Sequence, residues 1–105
     1  MPKEIVVLIT APSLREARTI GRRLVEEKLA ACANIIPRVA SIFFWQGKIR
    51  QERESLLMIK TRQSCFDRLV KRVKSLHAYS VPEIIALPII RGSKDYLEWI
   101  RKITR

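Results

Sequence analysis

Two hydrophobic periods alternate along this chain. Ile5 to Thr10 is an unbroken run of aliphatic and β-branched residues, the pattern of a strand buried on both faces. Ser13 and Glu16 follow Pro12 as S-x-x-E, a capping box. Behind it Ala17, Ile20, Leu24 and Val25 recur at helical spacing, which predicts an amphipathic helix over 13–29. From Ala31 the period shortens. Ala33, Ile35, Val39, Ile42 to Trp45, Ile49 and Leu56 to Ile59 predict two long strands, and Gln46-Gly47 between them suits the positive φ of a tight hairpin turn. Ser64 and Asp67 open a second helix with Phe66, Leu69, Val70, Val73 and Leu76 on one face. His77 to Pro82 reads as loop and Glu83 to Ile90 as a fourth strand. Gly92-Ser93 precedes a short last helix with Tyr96, Leu97, Ile100 and Ile103 on one side.

The order β-α-β-β-α-β plus a terminal helix is an α+β, ferredoxin-like split βαβ arrangement. It implies an antiparallel sheet with helices on one face and a long hairpin joining the second and third strands. In that topology the first and third strands are central. They contain no proline, whereas Pro37 and Pro88 fall in the second and fourth, the edges that tolerate it. A strand over 48–61 would span roughly 45 Å at ~3.3 Å per residue. A domain of this size is only roughly 35 Å across, from a radius of gyration near ~13 Å. The hairpin tip therefore overhangs its own domain. It carries Phe43, Phe44, Trp45 and Ile49, which alternate to both faces. An exposed apolar ribbon of that length invites pairing, so a second subunit is expected to cover it.

The 105 residues allow one domain, 1–105, and 48% hydrophobic content with three Gly and five Pro excludes a disordered chain. No apolar run is long enough to span a bilayer, and the start lacks the pattern of a signal peptide, so a cytoplasmic location without membrane attachment is expected. Cys32 and Cys65 form no CxxC. In a reducing compartment Cys32, among alanines, reads as a small buried hydrophobe, and Cys65 sits in a helix's first turn. The 21 Lys+Arg against 10 Asp+Glu leave a net charge of +11. The cations are interleaved with Glu16, Glu26, Glu27 and Asp67 along the helices, which reads as a solvated, ion-paired coat and fits a thermostable protein. The third strand, Ser55 to Lys60, lacks the aromatics with which RNA-recognition modules of this topology stack bases, so no specific nucleic-acid binding is expected.

Several motifs recur together: Thr10-Ala11-Pro12, Leu29-Ala30-Ala31-Cys32, Asn34-Ile35-Ile36-Pro37, Trp45-x-Gly47-Lys48-Ile49, Lys60-Thr61, His77-x-Tyr79, Val81-Pro82-Glu83-Ile84 and Tyr96-Leu97-x-Trp99-Ile100. In order and spacing the chain resembles the CutA family of divalent-cation tolerance proteins over essentially its whole length. The resemblance implies a homotrimer similar in architecture to the PII nitrogen regulators. It also implies a role in tolerance to copper and other divalent metal ions, several members being copper-binding. Some bacterial members carry a Cys before the Thr-Ala-Pro motif and a His-His pair after the second helix. Those positions here are Ile9 and Leu76-His77, so of that soft donor set only His77 is present.

His77 is the one histidine. It reads as a metal ligand or proton carrier, or else as a helix C-terminal cap or a partner for Tyr79. Glu83 and Tyr79 are the nearby oxygen donors for a weak divalent-cation site, Cu(II) being favoured at nitrogen and oxygen ligands. Glu83 could instead pair with Lys60 or Lys48. Phe43, Phe44, Trp45, Lys48, Lys60 and Trp99 are assigned to the trimer interface and its cleft. No paired carboxylates, Gly-rich phosphate loop or nucleophile–base constellation is present, so an enzyme is not expected and no cofactor is obligatory. A PII-like trimer binding a small molecule is the alternative, with a basic RNA-binding module behind it.

Overall fold

In the computed structural model, which describes residues 3–105, four strands and three helices follow the expected order. They are β1 (Glu4–Ala11), α1 (Leu14–Glu26), β2 (Cys32–Trp45), β3 (Lys48–Arg62), α2 (Phe66–Leu76), β4 (Ile84–Pro88) and α3 (Lys94–Ile103). The sheet is antiparallel in the order β2-β3-β1-β4. Both proline-bearing strands are edges. Pro37 lies where the β2–β3 register slips between Ile36 and Val39, and Ser55 Oγ donates to its carbonyl at 2.9 Å.

Strand alternation sorts the side chains into two faces. Ile5, Val7 and Ile9 of β1 and Leu57 and Ile59 of β3 form the core with Ala17, Ile20 and Leu24 of α1 and Leu69 and Val73 of α2. Gly21 brings α1 hard against the sheet: a Cβ there would meet Ala33 Cβ at 3.1 Å and Leu57 Cδ2 at 3.3 Å. That approach accounts for a glycine inside a helix despite a propensity cost of about 1 kcal/mol. The expectation of helices on one face holds for α1 and α2. The third helix takes the opposite face, where the cross-strand neighbours Glu4 and Arg62 reach Arg101 (3.2 Å) and Thr104 (2.7 Å). The first face is already roofed, so the apolar stripe around the fully buried Ile100 finds cover only on the second.

Local details differ from expectation in three places. α2 is entered through a 3-10 turn, Gln63–Cys65, and Ser64 caps nothing. Cys32 is half-exposed rather than buried, because it sits on an edge strand, with Sγ 3.6 Å from Asn34 Oδ1. The ion-paired coat is also sparse. Among the described residues only Arg22, Arg72 and Arg101 have a carboxylate partner, namely Glu26, Glu27 and Glu4. Four of the other acids lie away from the helical cations: Glu16 turns inward, and Glu52, Glu54 and Glu83 line a groove.

The hairpin overhang is explicit. β1 stops pairing with β3 at Ala11↔Ser55, so residues 48–54 run on with β2 alone. That is about 23 Å of ribbon at ~3.3 Å per residue, and it stretches the molecule to 43 × 25 × 22 Å. Gln46 (φ 51°) and Gly47 (φ 76°) close it with positive φ at both turn positions, as a type I′ turn requires. Ile42, Phe44 and Ile49 are each about 70% exposed.

Candidate functional site

Where β1 ends, the overhanging ribbon and the segment between α2 and β4 enclose a groove of about 740 Å³. Its walls include Phe43, Trp45, Arg50, Glu52 and Glu54 from the ribbon and Tyr79, Val81 and Glu83 from the segment. The period of two along β3 puts Arg50, Glu52 and Glu54 on one face. That alternation was readable in the sequence, but the partner segment, 25 or more residues away, was not.

His77 anchors the segment. It is the C-cap of α2, its backbone N–H returns to Val73 O at 2.9 Å, and its ring is fully buried. Nε2 donates to the Thr10 carbonyl at 2.7 Å, beyond the last β1 residue paired with β4. Nδ1 accepts from the Tyr79 N–H at 3.0 Å. These two bonds require the neutral ring protonated on Nε2. Glu16 completes the arrangement. Ser13 caps α1 as the motif implies, accepting from Glu16 N–H at 3.1 Å. The Glu16 carboxylate does not return to Ser13; its Oε2 takes the Ala78 N–H at 3.1 Å and lies 3.4 Å from His77 Nδ1.

Tyr79 leans on the His77 ring, centroids 4.9 Å apart, and its hydroxyl donates to Glu54 Oε2 at 2.9 Å. Burial pushes the phenol up to about 12, with the Glu54 hydrogen bond and charge, then Glu52 and Glu16, adding to it. Tyr79 therefore stays a neutral donor at physiological pH. Because the folded chain holds this proton more tightly than the unfolded one, the contact's contribution to stability is complete below pH 10 and is lost as pH rises through about 12. Glu54→Gln removes the charge but not the burial, so it is expected to move the Tyr79 transition part of the way back towards 10, read by ultraviolet titration of the phenolate.

The other assigned residues divide. Phe43, Trp45 and Glu83 share the groove with Tyr79. Glu83 is exposed and makes no ion pair among the described residues, so neither Lys60 nor Lys48 serves as its partner. Lys48 and Phe44 are exposed on the ribbon outside the groove lining. Lys60 lies towards the far end of β3, hydrogen-bonded to Asn34 Oδ1, and Trp99 is on α3 with its ring 5.5 Å from that of Tyr96. Sequence reasoning missed Thr10, Glu16, Glu52 and Glu54.

As a metal centre the arrangement is poorly prepared. Both imidazole nitrogens are committed to backbone groups and Tyr79 keeps its proton. Ile9 and Leu76 offer no donor, and among the described residues no three His, Cys, Asp or Glu side chains group to hold an ion. The residues present do not fit a soft nitrogen–sulfur copper site.

Residues 5–103 match the family model described as CutA1 divalent ion tolerance protein. The chain belongs to the CutA1 family. A divalent-cation tolerance protein CutA of Thermus thermophilus is 54% identical over 96% of this chain and 98% of its own length. The solved structure of that bacterium's CutA1 superposes with a TM-score of 0.95, covering 97% of this chain and 99% of that one. CutA1 from Oryza sativa, 45% identical, gives a TM-score of 0.95 over 99% and 95%. A chloroplastic CutA of Arabidopsis thaliana is 48% identical over 96% of this chain, which spans 56% of that protein. The CutA1 resemblance seen in the motifs is thus shown for the fold and the family, and no helix is long and apolar enough to cross a membrane.

Proposed function

We propose that this CutA1-family chain acts in divalent-cation tolerance, copper included, as a cytoplasmic homotrimer with the groove at its subunit boundaries. The observation that carries the reading is the ribbon, which exposes Phe44 and Ile49 on one face and Phe43 and Trp45 on the other, and whose β3 residues 48–54 pair only with β2. The outer edges of β2 and β4 lie at opposite sides of the sheet. An interface between unlike edges repeats from copy to copy and closes when the rotation suits a ring. Three copies satisfy both this and the family resemblance. Gel filtration with light scattering should return a mass near three chains at micromolar concentration; a monomer overturns the assembly.

Cation binding in this reading is weak and led by oxygen. Glu83 and Glu52 stand on the groove wall, while His77 becomes a donor only if a backbone hydrogen bond opens. The protein's net charge of +11 opposes cation approach and is screened by salt. Copper calorimetry, with the N-terminal amine blocked, is expected to give a weak isotherm that weakens further in the Glu83→Gln and Glu52→Gln variants. Isotherms unchanged by both substitutions remove the cation from this groove.

The second reading, a trimer that binds a small molecule as PII proteins do, is favoured by the groove's size. Its volume of about 740 Å³ and its aromatic walls fall within the range of small-molecule sites. A metabolite screen by thermal shift separates the two, since such a ligand stabilises the protein without added metal.

A further inference from the structure

We propose that the outer surface of the α1–α2 layer is a docking face for the phosphate backbone of nucleic acid, bound without regard to sequence. The two helices lie side by side over one face of the sheet, with their buried residues turned inward. Exposed on this layer are Arg15, Arg23 and Lys28 from α1 and its end and Lys71 and Lys74 from α2, with Arg18 exposed on its flank, where α1 meets β2. All six are exposed, and none has a carboxylate within salt-bridge distance among the described residues. The layer's acids do not neutralise them. Glu26 and Glu27 are taken by Arg22 and Arg72, Glu16 is turned in to Ala78, and Asp67 alone remains unpaired. Self-repulsion among fixed cations is relieved by a polyanion that releases its own condensed counterions.

The kind of polyanion follows from what the layer lacks. An interfacial membrane helix needs Trp, Phe or Leu on its exposed side. Here the one exposed large apolar residue is Val25; the exposed aromatics belong to the hairpin and α3. A protein partner would need aromatic or aliphatic anchors at the centre of the contact, and none is present on this face. Neither helix contains Asn or Gln, the residues that read adenine edges, so the contacts go to phosphate and carry no sequence information. The ribbon and groove assigned to assembly lie elsewhere, which leaves this layer free in a trimer.

The probe is a labelled 25-base-pair DNA duplex in fluorescence anisotropy, with the full-length protein at 50–200 mM salt. Binding is expected to be independent of sequence and to weaken by up to about 10³-fold across that range, the loss associated with about six phosphate contacts. Arg15→Gln/Arg18→Gln/Arg23→Gln, and separately Lys71→Gln/Lys74→Gln, should flatten the log–log salt slope by about 0.9 for each contact removed. The triple variant should lose at least tenfold in affinity at 50 mM salt. Arg91→Gln/Lys94→Gln/Lys102→Gln removes as much charge from exposed positions on and beside α3, and should lose less than twofold. Equal losses in the two triple variants would mean that net charge alone is at work, and would overturn the assignment. So would absence of binding at 50 mM salt, preference among duplex sequences, or binding to phosphatidylglycerol vesicles without binding to DNA. Circular dichroism confirms that each variant folds.

Discussion

Replacing His77 with alanine is expected to destabilise the chain by about 4 kcal/mol, an effect that a loosely held surface ligand would not produce. The fully buried ring satisfies two backbone groups, the Thr10 carbonyl 67 residues away and the Tyr79 N–H just beyond its own helix end. Removing one partner of a buried hydrogen bond leaves the other to bear its desolvation, about 1–3 kcal/mol per group. Truncation to alanine adds a cavity. His77→Phe separates the contributions, because it keeps the ring volume while losing both hydrogen bonds; about 2–3 kcal/mol is expected from that loss alone. Urea unfolding of the three proteins reads the difference directly. If His77 served only as a metal ligand, both variants would unfold at the wild-type midpoint without metal and differ only in copper titrations.

The role of His77 also marks where the sequence stops being informative. Its position at the end of α2 followed from helical periodicity, and a C-cap was among the readings open to it. Its acceptor is 67 residues away, and no local pattern connects Thr10 to His77. Glu16 makes the same point more sharply. The motif S-x-x-E predicts a carboxylate returning to Ser13, yet the carboxylate crosses to Ala78, 62 residues on. Helix α1 keeps the half of the capping box that the backbone needs and commits the other half to tertiary structure. The Tyr79–Glu54 bond, spanning 25 residues, was likewise invisible.

What was legible is what rests on period and backbone chemistry. A continuous apolar run identified β1 as central, and two prolines identified the edges. A Gln-Gly pair identified a turn with φ positive at both positions. The overhang was legible too, because covalent geometry sets the rise per residue of a strand and chain length sets the size of a close-packed domain. The face chosen by α3 was not. Its stripe said only that it must be buried, and which face remained vacant depended on where α1 and α2 had already packed.

The ribbon provides the second large effect. Introducing a charge at its tip is expected to abolish the three-chain species at micromolar concentration. Phe44 and Trp45 point to opposite faces of the hairpin, and their cross-strand neighbours are Ile49 and Lys48. An unpaired charge buried at an interface costs about 3–5 kcal/mol, and a symmetric trimer incurs it three times. Phe44→Glu has no cation directly opposite, so the full cost applies wherever that face is covered. Trp45→Glu stands across from Lys48, which offsets part of the cost on its own face. If both faces of the ribbon are covered, both variants should dissociate or precipitate, Phe44→Glu at the lower salt dependence of the two. If the partner covers only the groove face, Trp45→Glu alone should do so, and Phe44→Glu should elute with the wild type. Sedimentation velocity on both proteins distinguishes these outcomes. Two variants that both remain trimeric would mean that the tip is solvated in the assembly, and the subunits would then have to be held by the strand edges and the second sheet face alone.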